Sequence, residues 1–322
     1  MARFYYGGQA VIEGVMMRGK TSFAVAMRKA DQSIYVYEEP LPERLRSKFF
    51  SLPFVRGILL LWETLVLGSR IMTLSANVAS EEPGTESDNQ ATAKAEQAPA
   101  NEDPTKMSGS MTFSLVISMT IAVAIFFVGP LVVTNLLGHW IGTGWLSLIL
   151  EGVLRLALLI GYLLLIGRVP DIQCVFGYHG AEHKAINAME HGDPLDVAHV
   201  RAATRVHTRC GTGFLLIVAV LSIFVFALVV TPSLPIKLLS RIVLVPIVAS
   251  IAYELMRLGA ANYRLRLVRW LLAPGLALQS LTTREPDDAM IECSIAALQR
   301  VLEKDQKAEA GAQEPAPLVT AQ

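Results

Sequence analysis

Cysteine is scarce in this chain, with three residues in 322: Cys174, Cys210 and Cys293. Three scattered thiols cannot build a disulfide framework, which excludes a small stapled secreted scaffold and suits a reducing compartment. Charge is thin as well, at 17% of residues against 52% apolar. A soluble globular domain carries about a quarter charged residues, so the deficit excludes that class and indicates an integral membrane protein. Neither sign is in excess, since 28 basic side chains meet 28 acidic ones, and bulk attraction to nucleic acid is not expected. Met1 to Lys20 lacks a continuous apolar stretch, so no signal peptide is expected there.

What the chain does have is one polar island between very apolar segments, Pro170 to Gly192. His179 and His183 stand four apart, so a helix puts them one turn apart on a single face, where both can reach one metal ion. Glu182 lies between them. H-x-x-E-H is the inverted zincin order, in which two histidines hold zinc and the glutamate acts as base. Tyr178 to Glu190 reads as a helix with Ala181, Ala185 and Ala188 on a small, close-packing strip, ended by His191-Gly192. A second short helix runs to about Val206, with Asp193 as its cap, Pro194 at its first position and Asp196 in its first turn. His207 and Cys210 follow, giving H-x3-H…H-x2-C, enough nitrogen and sulfur for one tetrahedral zinc.

Three readings fit that cluster: an open catalytic site with three protein ligands and a water, a closed structural metal site, or a metal-free hydrogen-bonded network that packs helices. Lys184 and Arg209 are candidates for binding an anionic group such as a lipid phosphate, or are simply cytosolic basic residues. Cys174 reads as a small buried hydrophobe.

Residues 1–40 read as a small β-rich cytosolic domain. Glycines punctuate Tyr5 to Gly19, and Ser22–Arg28 and Ser33–Glu38 flank Ala30-Asp31-Gln32 as a hairpin. Glu13, in the glycine-rich stretch, is a candidate ligand or base, or else a solvated or capping carboxylate. In 41–79, Arg56, Glu63 and Arg70 recur every seven residues on an otherwise apolar helix. Such a stripe suits the membrane interface, or the flank of a bundle, better than a free span. Residues 80–106 hold seven acids, two lysines and almost no large apolar side chain, the composition of a disordered linker.

About four transmembrane helices follow, as two hairpins over 107–166 and 212–258: Met111–Leu137, Trp145–Ile166, Thr212–Val230 and Ile236–Leu258. Glu151 and Arg155 form an i,i+4 pair expected to neutralise itself near a helix end, and Glu254 is a candidate functional carboxylate or an interfacial ion pair with Arg257 or a neighbouring helix. The connection 138–144 has no basic residue, whereas the motif loop 167–211 and the tail after Leu258 have several. The expected topology is therefore multi-pass, with the N-terminal domain, the motif loop and both termini cytosolic. Residues 259–304 read as a basic, aromatic interfacial segment over Asn262–Leu272, broken by Pro274-Gly275, then a helix over Ala289–Lys304; 305–322 read as a loose tail.

The sequence resembles the YqhQ-like family of bacterial membrane proteins. The resemblance spans nearly the whole chain and is carried by Tyr6-Gly7-Gly8-Gln9-Ala10-Val11-Ile12-Glu13-Gly14-Val15-Met16, Tyr178-His179-Gly180-Ala181-Glu182-His183-Lys184, His207 with Arg209-Cys210-Gly211, Pro274-Gly275-Leu276, and Leu281 through Pro286. It implies a metal-dependent enzyme of unestablished reaction in the bacterial plasma membrane. The acidic stretch 80–106 is an insertion relative to that pattern, and Ala277 stands where an aromatic residue is usual; neither touches the candidate ligands.

Two functions follow as expectations. One is a metal-dependent, hydrolase-like membrane enzyme with His179, His183 and His207 or Cys210 as ligands of a divalent metal, zinc first, and Glu182 as base. The other is a non-catalytic membrane scaffold or assembly factor whose polar cluster holds its cytosolic parts together. The lipid bilayer is the expected partner in both, with another membrane protein as a further candidate partner.

Overall fold

The computed structural model describes residues 6–41, 52–79, 109–142, 144–229 and 233–313. The linker expected over 80–106 lies outside the described residues.

Four antiparallel strands form a sheet in chain order: β1 (Gly7–Val11), β2 (Gly14–Arg18), β3 (Ser22–Arg28) and β4 (Ile34–Pro40). The expected hairpin over 22–38 is present, closed at Asp31, whose carboxylate accepts from the Ser33 N–H at 2.8 Å and the Ser33 hydroxyl at 2.6 Å. The glycine-rich stretch before it is a hairpin too. Val11 pairs with Gly14 across Ile12-Glu13, and Glu13 takes a left-handed φ of 52° to close the turn. Side chains alternate along each strand, so the sheet has two apolar faces. Val15, Met17, Ala24 and Ala26 face one helical layer; Val11, Met16, Phe23 and Val25 face another.

The second of those layers is α1 (Val55–Ala79), whose Leu67, Ile71 and Val78 lie on the sheet. The first is α5 (Pro170–His191), the short α6 (Val197–Ala202) and α10 (Asp288–Gln313). α10 runs nine residues beyond the expected 304, into what was read as loose tail. Asp305 explains the extension: it is 2% exposed and accepts from the backbone N–H groups of Lys20 (2.9 Å) and Thr21 (3.0 Å) and from the Thr21 hydroxyl (2.7 Å).

The rest is a bundle of apolar helices. α2 (Gly109–Val123) passes through a π-helical turn, Ala124–Val128, into α3 (Gly129–Leu136); α4 is Trp145–Ile166, α7 Gly211–Ala227, α8 Leu234–Ala261 and α9 Arg266–Leu278. Among the described residues, four helices are long and apolar enough to cross a membrane: Val55–Ala79, Thr112–Leu136, Trp145–Ile166 and Leu234–Ala261. The last three of these are expected spans. The expected span over 212–230 is the apolar, 17-residue α7, and α1, expected at the interface or on the flank of the bundle, qualifies by length and composition while also packing on the sheet. α1 is divided between two environments. At one end Gly57 packs on Ser250 and Tyr253 of α8, and at the other the sheet covers it. Its heptad stripe follows the same division: Arg56 pairs with Glu254 of α8, Glu63 with Arg18 of β2 at 3.0 Å, and Arg70 with Glu39 of β4 at 3.1 Å.

Glu151 and Arg155 are not near a helix end. They sit inside α4 and are joined by Arg241 of α8, so that one carboxylate meets two guanidiniums, at 2.8 Å from Arg155 and 2.9 Å from Arg241. Pro130 prepares a further partner. It has no N–H to give the carbonyl four residues back, and that carbonyl, of Phe126, accepts instead from Arg155 Nε at 3.1 Å. Pro274 likewise fails to break α9, which continues to Leu278. Beside it, Gly275 lies directly against Gly213 of α7.

Candidate metal centre

The site forms where the sheet-and-helix lobe meets the ends of the apolar helices. α5 begins three residues after α4 stops, with Pro170 at its first position and Asp171 in its first turn, and it ends at Gly192, whose φ of 82° is left-handed. Its alanine strip, Ala181, Ala185 and Ala188, is fully buried in the lobe core. That fixes the rotation of the helix, and His179, Glu182 and His183 then face the segment between α6 and α7. Gly180 permits the close approach, because a Cβ there would sit 2.1 Å from the Arg284 carbonyl oxygen.

His179, His183 and Cys210 each offer a ligand atom, and those atoms lie within 4.8 Å of one another. Cys210 Sγ is 3.3 Å from His179 Nε2. Tetrahedral zinc, with bonds of about 2.0–2.3 Å, holds its ligand atoms roughly 3.5 Å apart, so this pair already has the required spacing. Both imidazoles are oriented by what lies behind them. His179 Nδ1 is 2.9 Å from the Thr282 carbonyl oxygen and His183 Nδ1 is 2.5 Å from that of Arg205. A carbonyl only accepts, so each Nδ1 carries the proton and each Nε2 presents a lone pair to the cluster. Cys210 caps α7, and the Thr212 N–H donates to its sulfur at 3.4 Å. The sulfur thus occupies the positive end of a helix, which suits an anionic ligand.

His207 is close but outside the group of three. Its ring centre is 5.4 Å from that of His183, and its Nε2 is buried with no hydrogen-bond partner among the described residues. Burial, with the nearby Arg209, His183 and His179, pushes its pKa down to about 3, so the ring is neutral. Gln279 holds its backbone on both sides, accepting from the His207 N–H at 3.0 Å and donating to its carbonyl at 2.7 Å.

Glu182 is 4% exposed, with Oε2 3.6 Å from His183 Nε2. Burial pushes its pKa above the ordinary carboxylate value, against the pull of His179, the Gly8 backbone N–H and Arg209. Gly8 crosses the carboxylate so closely that a Cβ would meet Glu182 Cγ at 2.7 Å. Gly8 of β1 is therefore part of the site's wall.

The remaining candidates stand outside the group of His179, His183 and Cys210. Glu13 accepts from Tyr178 and Cys174, both at 3.3 Å, and does not join the histidine–cysteine group. Lys184 is buried and tied to the Arg201 carbonyl (2.6 Å) and Glu285 (2.5 Å); Arg209 pairs with Glu190. Glu254 ties α8 to α1 through Arg56, at 2.7 Å from Arg56 Nε. The second motif helix is capped by Asp196, which accepts from the His199 N–H at 2.9 Å, and not by Asp193. Sequence reading does not pick out Gln279, Thr282 or Gly8 as parts of the site; they serve it through backbone groups or backbone contacts, which no side-chain pattern announces.

A family model described as "Protein of unknown function (DUF1385)" matches residues 52–304. The chain is 33% identical over 303 residues to a Bacillus subtilis (strain 168) protein described as "Uncharacterized protein YqhQ", covering 92% of each chain. No solved structure matches it.

Proposed function

The chain belongs to the DUF1385 family, and on that premise we propose that it is a multi-pass enzyme of the bacterial plasma membrane that performs hydrolysis at a zinc centre on the cytosolic face. His179, His183 and Cys210 hold the ion, and both termini share its side of the membrane. The reading is carried by Cys210 Sγ, 3.3 Å from His179 Nε2, beside two imidazoles whose Nδ1 protons are fixed on backbone carbonyls. Three protein ligands with a further position free is the catalytic pattern, against four in structural sites.

When bound, zinc supplies the Lewis acidity that makes water a nucleophile near neutral pH. Glu182 receives the proton that the attacking water loses, and burial raises its pKa, the direction that role favours. The water oxygen bonds to the electrophilic carbon or phosphorus, the bond to the leaving group breaks, and Glu182 returns the proton to the leaving atom. Gly8 holds the carboxylate in place through its N–H.

A second reading rests on one observation, the unpartnered His207 Nε2. If that atom takes the fourth position, the centre is closed and structural, and the protein is a scaffold or assembly factor.

Metal analysis of protein purified without a polyhistidine tag is the test, repeated on His179→Ala and His183→Ala. One zinc per wild-type chain, lost in both variants, is the expected result; a folded wild-type protein without stoichiometric metal overturns both readings. His207→Ala separates them, since it leaves zinc in an open site and removes it from a closed one.

A further inference from the structure

A groove of about 410 Å³ opens between α7, α8 and α9, within the roughly 300–1,000 Å³ typical of small-molecule sites. Two close contacts create it. α9 touches α7 where Gly275 meets Gly213, with a Cβ on Gly275 only 3.5 Å from Gly213 Cα, and it touches α8 where Leu272 lies over Gly259. Bridged at these two points, α7 and α8 leave a furrow beneath α9. Its walls are apolar side chains such as Leu216, Val220, Leu221 and Phe224 of α7 and Met256 of α8.

The furrow has one polar end, and that end borders the segment that carries His207 and Cys210. Thr208 lies beside His207, Gln279 clamps the His207 backbone, and Gly213 follows Thr212, whose N–H donates to Cys210. From Gly213 to Phe224 the furrow follows eleven residues of helix, roughly 16 Å at 1.5 Å per residue. A bilayer core is about 30 Å thick, so this length is close to one leaflet. α9 supplies the surface above it. Leu267, Trp270 and Leu271 are exposed, and Arg264, Arg266 and Arg269 are exposed without an ion pair among the described residues, as on a helix lying against anionic headgroups.

We infer that this groove holds one acyl chain of a membrane phospholipid with its polar end at the metal centre, which makes the substrate an acyl-chain amphiphile of the cytosolic leaflet. The inference rests on the hydrolase reading for the word substrate and on the groove alone for the chain.

The experiment uses full-length protein in nanodiscs of phosphatidylglycerol and phosphatidylcholine doped with a phospholipid that carries a diazirine on its acyl chain. Photolabelled residues are mapped by mass spectrometry, and zinc is measured on the same sample. Label on Leu216, Val220 and Leu221 should exceed that on the outward-facing Phe113 and Ile117 roughly tenfold, the ratio of a site that outcompetes bulk lipid by about 1.4 kcal/mol. Val220→Trp should reduce groove label to the outward level with zinc content unchanged, and Val220→Ala should preserve it. Even labelling of all outward helices in zinc-replete protein overturns the inference and leaves the metal reading standing. Groove label in folded protein that carries no zinc does the reverse, supporting the bound chain and removing the enzyme. A dimer whose groove is unlabelled and which Val220→Trp dissociates would place a second copy there and also overturn it.

Discussion

Cys210 Sγ and His179 Nε2 lie 3.3 Å apart although 31 residues separate them in the chain. The loop between them is held at both ends, by Lys184 on the Arg201 carbonyl and by Gln279 on the His207 backbone, so the approach is imposed by the fold. Cys210→Ser should lower bound zinc at least tenfold with the fold retained, because a hydroxyl replaces the thiolate. Cobalt-substituted wild-type protein should show a thiolate-to-metal charge-transfer band that Cys210→Ser abolishes. A band that survives would mean that sulfur is not a ligand.

Glu182→Gln should keep the metal and the fold and lose hydrolysis by a factor of about 10²–10⁴, the usual contribution of a positioned proton acceptor. Equal zinc content beside near-wild-type turnover would deny the carboxylate that role.

Gly180→Ala forces a Cβ to within 2.1 Å of the Arg284 carbonyl oxygen, a backbone atom that has to move with its neighbours. A loss of about 1–3 kcal/mol is expected, as for overpacked cores, read as a lowered melting temperature in detergent. Because Arg284 follows the Thr282-Thr283 turn behind His179, zinc affinity should fall with it.

The Glu151 cluster predicts an order of effects. Removing the carboxylate by Glu151→Ala leaves two buried guanidiniums uncompensated, at a cost of about 3–5 kcal/mol. Arg241→Met leaves the neutral Glu151–Arg155 pair and should be clearly milder. Thermal stability of the two variants in the same detergent decides it, and equal losses would mean that Arg241 carries more than its bond to Glu151.

Much of this fold was legible. Long uncharged runs marked the apolar helices, Asp31 marked a hairpin, and the i,i+4 spacing of His179 and His183 with Cys210 downstream marked three side chains that the fold brings together. What escaped depended on contacts between distant parts of the chain. Glu151 and Arg155 gave no sign in sequence that Arg241, 90 residues from Glu151, would join them. Asp305 looked like tail composition because its donors are backbone groups at Lys20 and Thr21. The sheet-packing role of α1 escaped for the same reason, since its apolar residues serve a bundle at one end and a sheet at the other.

That shared helix has a mechanical meaning. Arg56, Glu63 and Arg70 fasten one rod to α8, β2 and β4 in turn, so a tilt of α8 is carried through the rod to the strands. β1, hydrogen-bonded to β2, carries Gly8 over Glu182. The membrane-side end of α8 and the buried carboxylate of Glu182 are thereby joined through one helix and two strands.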